Sequence, residues 1–263
     1  MANYGAATGL VGQPLKQKSA MQLFPLAFTI ICFLIFVIPM YLLLYIVHNP
    51  VASYWINLRS VFILLIPFII LTVHFIHVSI GGPNKFAILV ALVVPSVILI
   101  LSANIAMTKS LDFATMLFSV DCNTLAAKAE LQRSWEDAAA LYGKCIEETA
   151  ASRNLTESYL AANFRVQDCT EYPDALKKNA KTWNYLRLLE ETQFCTGFCT
   201  SGTRLWGHGV AKDSCSVAIS SMFRNLVHAH SAQVMLMMLV VLLSTFIAMI
   251  LVGPVMREHN IPW

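Results

Sequence analysis

Residues 121–169, DCNTLAAKAELQRSWEDAAALYGKCIEETAASRNLTESYLAANFRVQDC, and 195–215, CTGFCTSGTRLWGHGVAKDSC, decide how this chain is read. Both lie in one polar segment, 108–230, that holds six of the seven cysteines: Cys122, Cys145, Cys169, Cys195, Cys199 and Cys215. Six cysteines in a span too small to stabilise itself by apolar burial predict three disulfides and an oxidising compartment. Spacing alone leaves the pairing open among fifteen connectivities. A metal site built from Cys195, Cys199, Cys215 and His208 is the rival reading, and no second Cys-x-x-Cys pair completes a zinc set.

The same segment has helical periodicity. Leu131, Trp135, Ala138, Tyr142 and Cys145 recur at steps of three and four, with Lys128, Glu130, Arg133, Glu136 and Asp137 on the opposite, solvated face. Asn154-Leu-Thr-Glu157 offers an N-cap with an acidic residue three places on, and so predicts a helix that points Tyr159, Leu160 and Phe164 inward. Asn154-Leu155-Thr156 is also an N-glycosylation sequon, and the two uses compete for one side-chain amide. Pro173 begins a further helix carrying Leu176, Ala180, Trp183 and Leu186, with the two tryptophans as core of this subdomain. From Cys195 to Ser214 the pattern breaks into an irregular, stapled stretch, and 216–228 returns to helix.

Outside this segment lie four apolar runs, 23–47, 60–80, 86–107 and 231–252, none with a charge in its interior. Each reaches the roughly 20 residues that cross a hydrocarbon core. With 57% hydrophobic and 13% charged residues and a mean hydropathy of +0.63, the chain reads as an all-α integral membrane protein. Its predicted layout is a tail at 1–22, three spans with short loops within 23–107, a large loop at 108–230, a fourth span at 231–252 and a tail at 253–263. No apolar core with a cleavage site precedes the first run, which is therefore expected to act as an uncleaved anchor. Pro39 is expected to kink it. Gly81-Gly82-Pro83-Asn84 makes a tight turn that pairs the second and third spans antiparallel, and Gly253-Pro254 is expected to end the last helix.

Lys16, Lys18, Lys85 and Arg257 fall on one side of this layout and only Arg59 on the other among tails and short loops. Both termini are then expected in the cytoplasm, or on the matrix or stromal side, with the large loop outside or in a lumen. The membrane is the plasma membrane or an endomembrane, with an organelle membrane as the alternative.

The chemistry-bearing residues are few. His74 and His77 share a face near the inner end of the second span and are candidate cofactor ligands, but no other span offers a histidine at their depth, and no cofactor is expected. Asn104 is expected to hydrogen-bond a neighbouring helix. The adjacent pairs Glu147-Glu148 and Glu190-Glu191 diverge by about 100° on their helices and read as solvated surface. No nucleophile with a base, phosphate-cradling glycine loop or metal-binding helix is present, and no basic stripe suggests nucleic acid.

Four spans, inward termini, a small first outer loop, a tiny inner turn and a large cysteine-rich outer loop between the third and fourth spans resemble the tetraspanins. Where that family carries an adjacent Cys-Cys-Gly, this chain has Cys195-Thr-Gly-Phe-Cys199. The resemblance implies that Cys195, Cys199 and Cys215 correspond to disulfide cysteines of the family. It also implies a non-enzymatic organiser that binds other integral membrane proteins and lipids through its large loop and helix faces. The alternative expectation is a structural accessory subunit of a large energy-converting complex in an organelle membrane.

Overall fold

The computed structural model describes residues 15–56, 58–81, 85–209 and 213–258. The turn predicted at Gly82-Pro83-Asn84 lies outside the described residues, as do the side chains of Lys16, Lys18, Cys32 and Arg59. The structure is 84% helix, with no strand among the described residues. In order, the helices are α1 (Leu15–His48), α2 (Pro50–Ser53), α3 (Leu58–Gly81), α4 (Lys85–Phe118), α5 (Ala126–Arg153), α6 (Glu157–Asn163), α7 (Tyr172–Gln193), α8 (Cys215–Met222) and α9 (Ala229–Glu258). Tight turns of helix at Cys122–Thr124 and Val166–Asp168 punctuate the polar segment, and a π-helical stretch, Phe223–His228, joins α8 to α9.

Among the described residues, two helical stretches, Lys85–Phe118 and Cys215–Val255, are long and apolar enough to cross a membrane. Shorter apolar helical stretches occupy Phe33–His48 and Leu65–His77. The helices outrun the apolar runs that announced them. α4 does not stop at 107 but continues to Phe118, because 108–118 contains neither glycine nor proline and its Ala114 and Leu117 are fully buried. α9 passes straight through Gly253-Pro254 to Glu258, correcting the expected stop. Pro254 forfeits one backbone hydrogen bond, a loss a helix near its end tolerates.

The chain divides into two compact units. The first comprises Met1–Tyr41, Phe62–Ser102 and Val234–Trp263. Its interior holds Phe36, Ile88, Ala91, Leu92, Leu99, Met238 and Val241, with Pro95 and Ser96 also buried on α4. Small residues at such positions let helices approach closely.

The second unit comprises Leu42–Val61 and Ala103–Gln233. Its core is assembled from Leu131, Ala138, Tyr142 and Ile146 of α5, Trp183, Leu186 and Leu189 of α7, and Phe198, Leu205 and Trp206 of the irregular stretch. The predicted inner faces of α5 and α7 are thus largely the observed ones, with Trp183 only 1% exposed. Tyr159 departs from expectation: it is 58% exposed, and Leu160 alone is buried on α6. The first short loop joins this core. Asn49 caps α2 by accepting from the Val51 and Ala52 N–H groups, Trp55 Nε1 donates to Tyr185 Oη at 2.6 Å, and the Tyr54 and Tyr185 rings stack at 3.9 Å.

Candidate functional site

The large loop forms a helical head closed by three disulfides, Cys122–Cys199, Cys145–Cys169 and Cys195–Cys215. Their Cα separations of 5.8, 5.9 and 4.9 Å lie within the span a disulfide bridges. Cys195 and Cys215 are consumed by one bond, so the rival metal set with His208 is removed. Within Cys195-Thr-Gly-Phe-Cys199, Gly197 has φ +61°, and a Cβ there would collide with the Thr200 carbonyl oxygen. Only glycine fits this position without strain. Gln132 of α5 fixes the same segment: its Oε1 accepts from the N–H groups of Phe198 at 3.1 Å and Cys199 at 2.8 Å.

Two charged residues read as solvated surface turn out to organise the head. Glu190 is 1% exposed, and its carboxylate accepts from the backbone N–H groups of Leu205, Trp206 and Gly207 at 2.9 to 3.2 Å. Burial pushes its carboxyl above the usual range, against the pull of those three N–H groups and of Arg204. Lys128 is fully buried, and its Nζ donates to the carbonyls of Met116, Ser119 and Asp121, closing the C-terminal end of α4. Desolvation holds its ammonium below the ordinary lysine value, partly offset by Asp121. The sequence reading places Lys128 on the solvated face of its helix and Glu190 in a diverging surface pair, yet a charged tip can end a buried path when the backbone supplies its partners. For Glu190 the signal was present: it follows Trp183 and Leu186 at steps of three and four, on the buried face.

Other polar side chains also anchor the head. Trp183 Nε1 donates to the Ser134 carbonyl at 2.9 Å, and Trp206 Nε1 to Tyr172 Oη at 3.1 Å. Arg165 is buried, donates to the carbonyls of Ala161, Ala162 and Phe164 at the end of α6, and meets His208 Nδ1.

Asn154 does not cap α6. It ends α5 in the left-handed conformation, φ 52° and ψ 39°, with its backbone N–H donating to the Ala150 carbonyl, and Thr156 occupies the N-cap of α6. Asparagine tolerates this conformation better than other residues with a Cβ, which is why a C-terminal stop resembled an N-terminal start.

The histidine pair is not presented as one site. His74 is buried, with no hydrogen-bond partner for Nε2, whereas His77 is exposed. Asn104 is exposed on α4 and has no described side-chain hydrogen bond, so it does not bridge to a neighbouring helix as expected. Among the described residues, no group of three or more His, Cys, Asp or Glu gathers where a metal could sit. A cleft of about 110 Å³ beside Cys145–Cys169 is lined by Lys144, Glu148, Arg153, Asp168 and Glu171, with Lys144 in ion pairs to Glu171 and Glu148. That is well below the roughly 300 Å³ of small-molecule sites.

No protein-family model, curated protein or solved structure matches this chain.

Proposed function

We propose that this chain is a four-span, tetraspanin-like organiser with both termini on the cytoplasmic side and its disulfide-stapled head in an oxidising extracellular or lumenal space. It gathers other integral membrane proteins laterally, through the head and through outward apolar helix faces, and performs no chemistry of its own. The observation carrying this reading is the pairing of a polar head closed by three disulfides with helices that turn large apolar side chains outward. Leu34, Ile69, Leu101, Leu243 and Ile250 are each more than half exposed, on helices whose charged residues lie beyond the ends of their apolar runs. Such faces are suited to lipid and to other helices.

Extraction in mild detergent, followed by particle mass, subunit composition and visible spectrum on one sample, tests the reading. Small particles with variable, substoichiometric membrane-protein partners are expected. A large particle of fixed composition would overturn it in favour of an accessory subunit of a membrane complex, and an absorption band lost in His74→Ala would show a cofactor carrier.

A further inference from the structure

We infer that Asn154 carries an N-linked oligosaccharide at the tip of the head, an inference that rests on the head facing a lumen during synthesis. Asn154-Leu-Thr156 is the one Asn-x-Ser/Thr sequon in the sequence. The fold leaves both of its functional side chains without a structural duty. Asn154 stops α5 through its conformation and its backbone N–H, and its exposed amide makes no described hydrogen bond. Thr156 stands at the N-cap of α6 yet makes no capping bond with its hydroxyl, which only receives the Ser158 hydroxyl at 3.4 Å. The competition between capping and modification that the sequence suggested does not exist in the fold.

The surroundings suit a bulky polar substituent. Residues 151–159 are exposed without interruption, and they include the apolar side chains of Leu155, 38% exposed, and Tyr159, 58% exposed. A sugar on Asn154 projects from the same turn and shades this apolar surface. The site also lies within the loop closed by Cys145–Cys169, whose disulfide belongs to the compartment where such transfer occurs. In the transfer, Asn154 Nδ2 bonds to C1 of the reducing-end sugar of a lipid-pyrophosphate-linked oligosaccharide. The C1–O bond breaks, the lipid pyrophosphate leaves with the electron pair, and the amide nitrogen loses one proton.

The test is a full-length chain expressed in cells that glycosylate secretory proteins, run on a gel before and after peptide N-glycosidase treatment. One mobility step is expected, lost in Asn154→Gln and Thr156→Ala and kept in Thr156→Ser. A Glu147→Asn variant, which with Thr149 makes a second acceptor, separates site from topology. A step gained by Glu147→Asn when the unmodified sequence shows none would overturn the inference and leave the orientation standing. No step in either would overturn both. A free-thiol count in Asn154→Gln no higher than the single thiol of Cys32, the seventh cysteine, shows that loss of the step is loss of the sugar and not of the fold.

Discussion

The head buries Trp183, Leu186, Phe198 and Trp206 and then fixes that core with directed bonds from Gln132, Glu190 and Lys128. The unit built from Met1–Tyr41, Phe62–Ser102 and Val234–Trp263 encloses Phe36, Leu92, Leu99 and Met238 but leaves Ile69, Leu243 and Ile250 on its outside. The first carries its organisation within itself, through covalent and polar constraints that act in water. The second carries large apolar side chains on its outside, which suits the apolar solvent of the proposed reading, where hydrophobic burial would supply little of the drive and close packing more. Substitutions should therefore hurt the head in proportion to the constraint they remove, and barely register on outward faces of the other unit.

The largest effect is expected from the disulfides. Replacing Cys122 and Cys199 together by serine opens a link spanning 77 residues, and chain-entropy reasoning assigns it about 4.5 kcal/mol. The same change at Cys195 and Cys215, which span 20, should cost about 3.3 kcal/mol. Denaturant unfolding in detergent, followed by tryptophan fluorescence, ranks the two; a reversed order would mean that the staples act by local packing rather than by restricting the unfolded chain.

Next comes Glu190. Glu190→Ala strands three buried N–H groups and should cost about 3 kcal/mol or somewhat more. Glu190→Gln tests the electrostatics. Because burial raises the folded carboxyl above its unfolded value of 4.5, the folded head binds the extra proton in the window just above pH 4.5. The stability of the natural protein relative to Glu190→Gln should therefore fall as pH rises through that window and level off above the folded value. A difference that instead grows with pH would show that the three N–H donors outweigh burial.

The smallest effect is expected on α9. Leu243→Ala and Ile250→Ala, at side chains 59% and 69% exposed, should move the unfolding midpoint of the head by less than about 0.5 kcal/mol. A shift comparable to that of a disulfide would erase the contrast between the units.

The periodicity of α5 and α7 was legible because the large apolar side chains there pack against the head's own interior, although Ala180 of the predicted face is exposed, so a period of 3.6 survives in the residue types. Helix ends were not. The lengths of α4 and α9 depend on backbone continuity, which hydropathy does not measure: 108–118 carries Lys109 and Asp112 yet is unbroken, and Pro254 interrupts one bond without ending the helix. Lys128 and Glu190 escaped for a related reason. Their partners are backbone groups of Met116, Ser119 and Leu205 through Gly207, which leave no mark in the residue types, and for Glu190 the charge of the side chain obscured its place on the buried stripe of α7. Asn154 was read as a start because left-handed termination and side-chain capping favour the same amino acid. The cysteines announced their bonding by number, while their pairing waited on which chain segments the core brings within reach.

The arrangement of those pairings has a mechanical consequence. Cys195 and Cys199 sit four residues apart but bond to opposite ends of the loop, Cys215 and Cys122. A pull that separates the end of α4 from the start of α8 therefore runs through two sulfur bridges and one short piece of backbone, bypassing α5, α6 and α7. The fully stretched distance along that route is about 25 Å, whereas the reduced chain between the same cysteines could extend on the order of 300 Å. Oxidised, the loop behaves as a short tether carrying a slack, unloaded head; reduced, the head itself becomes the part that yields under tension.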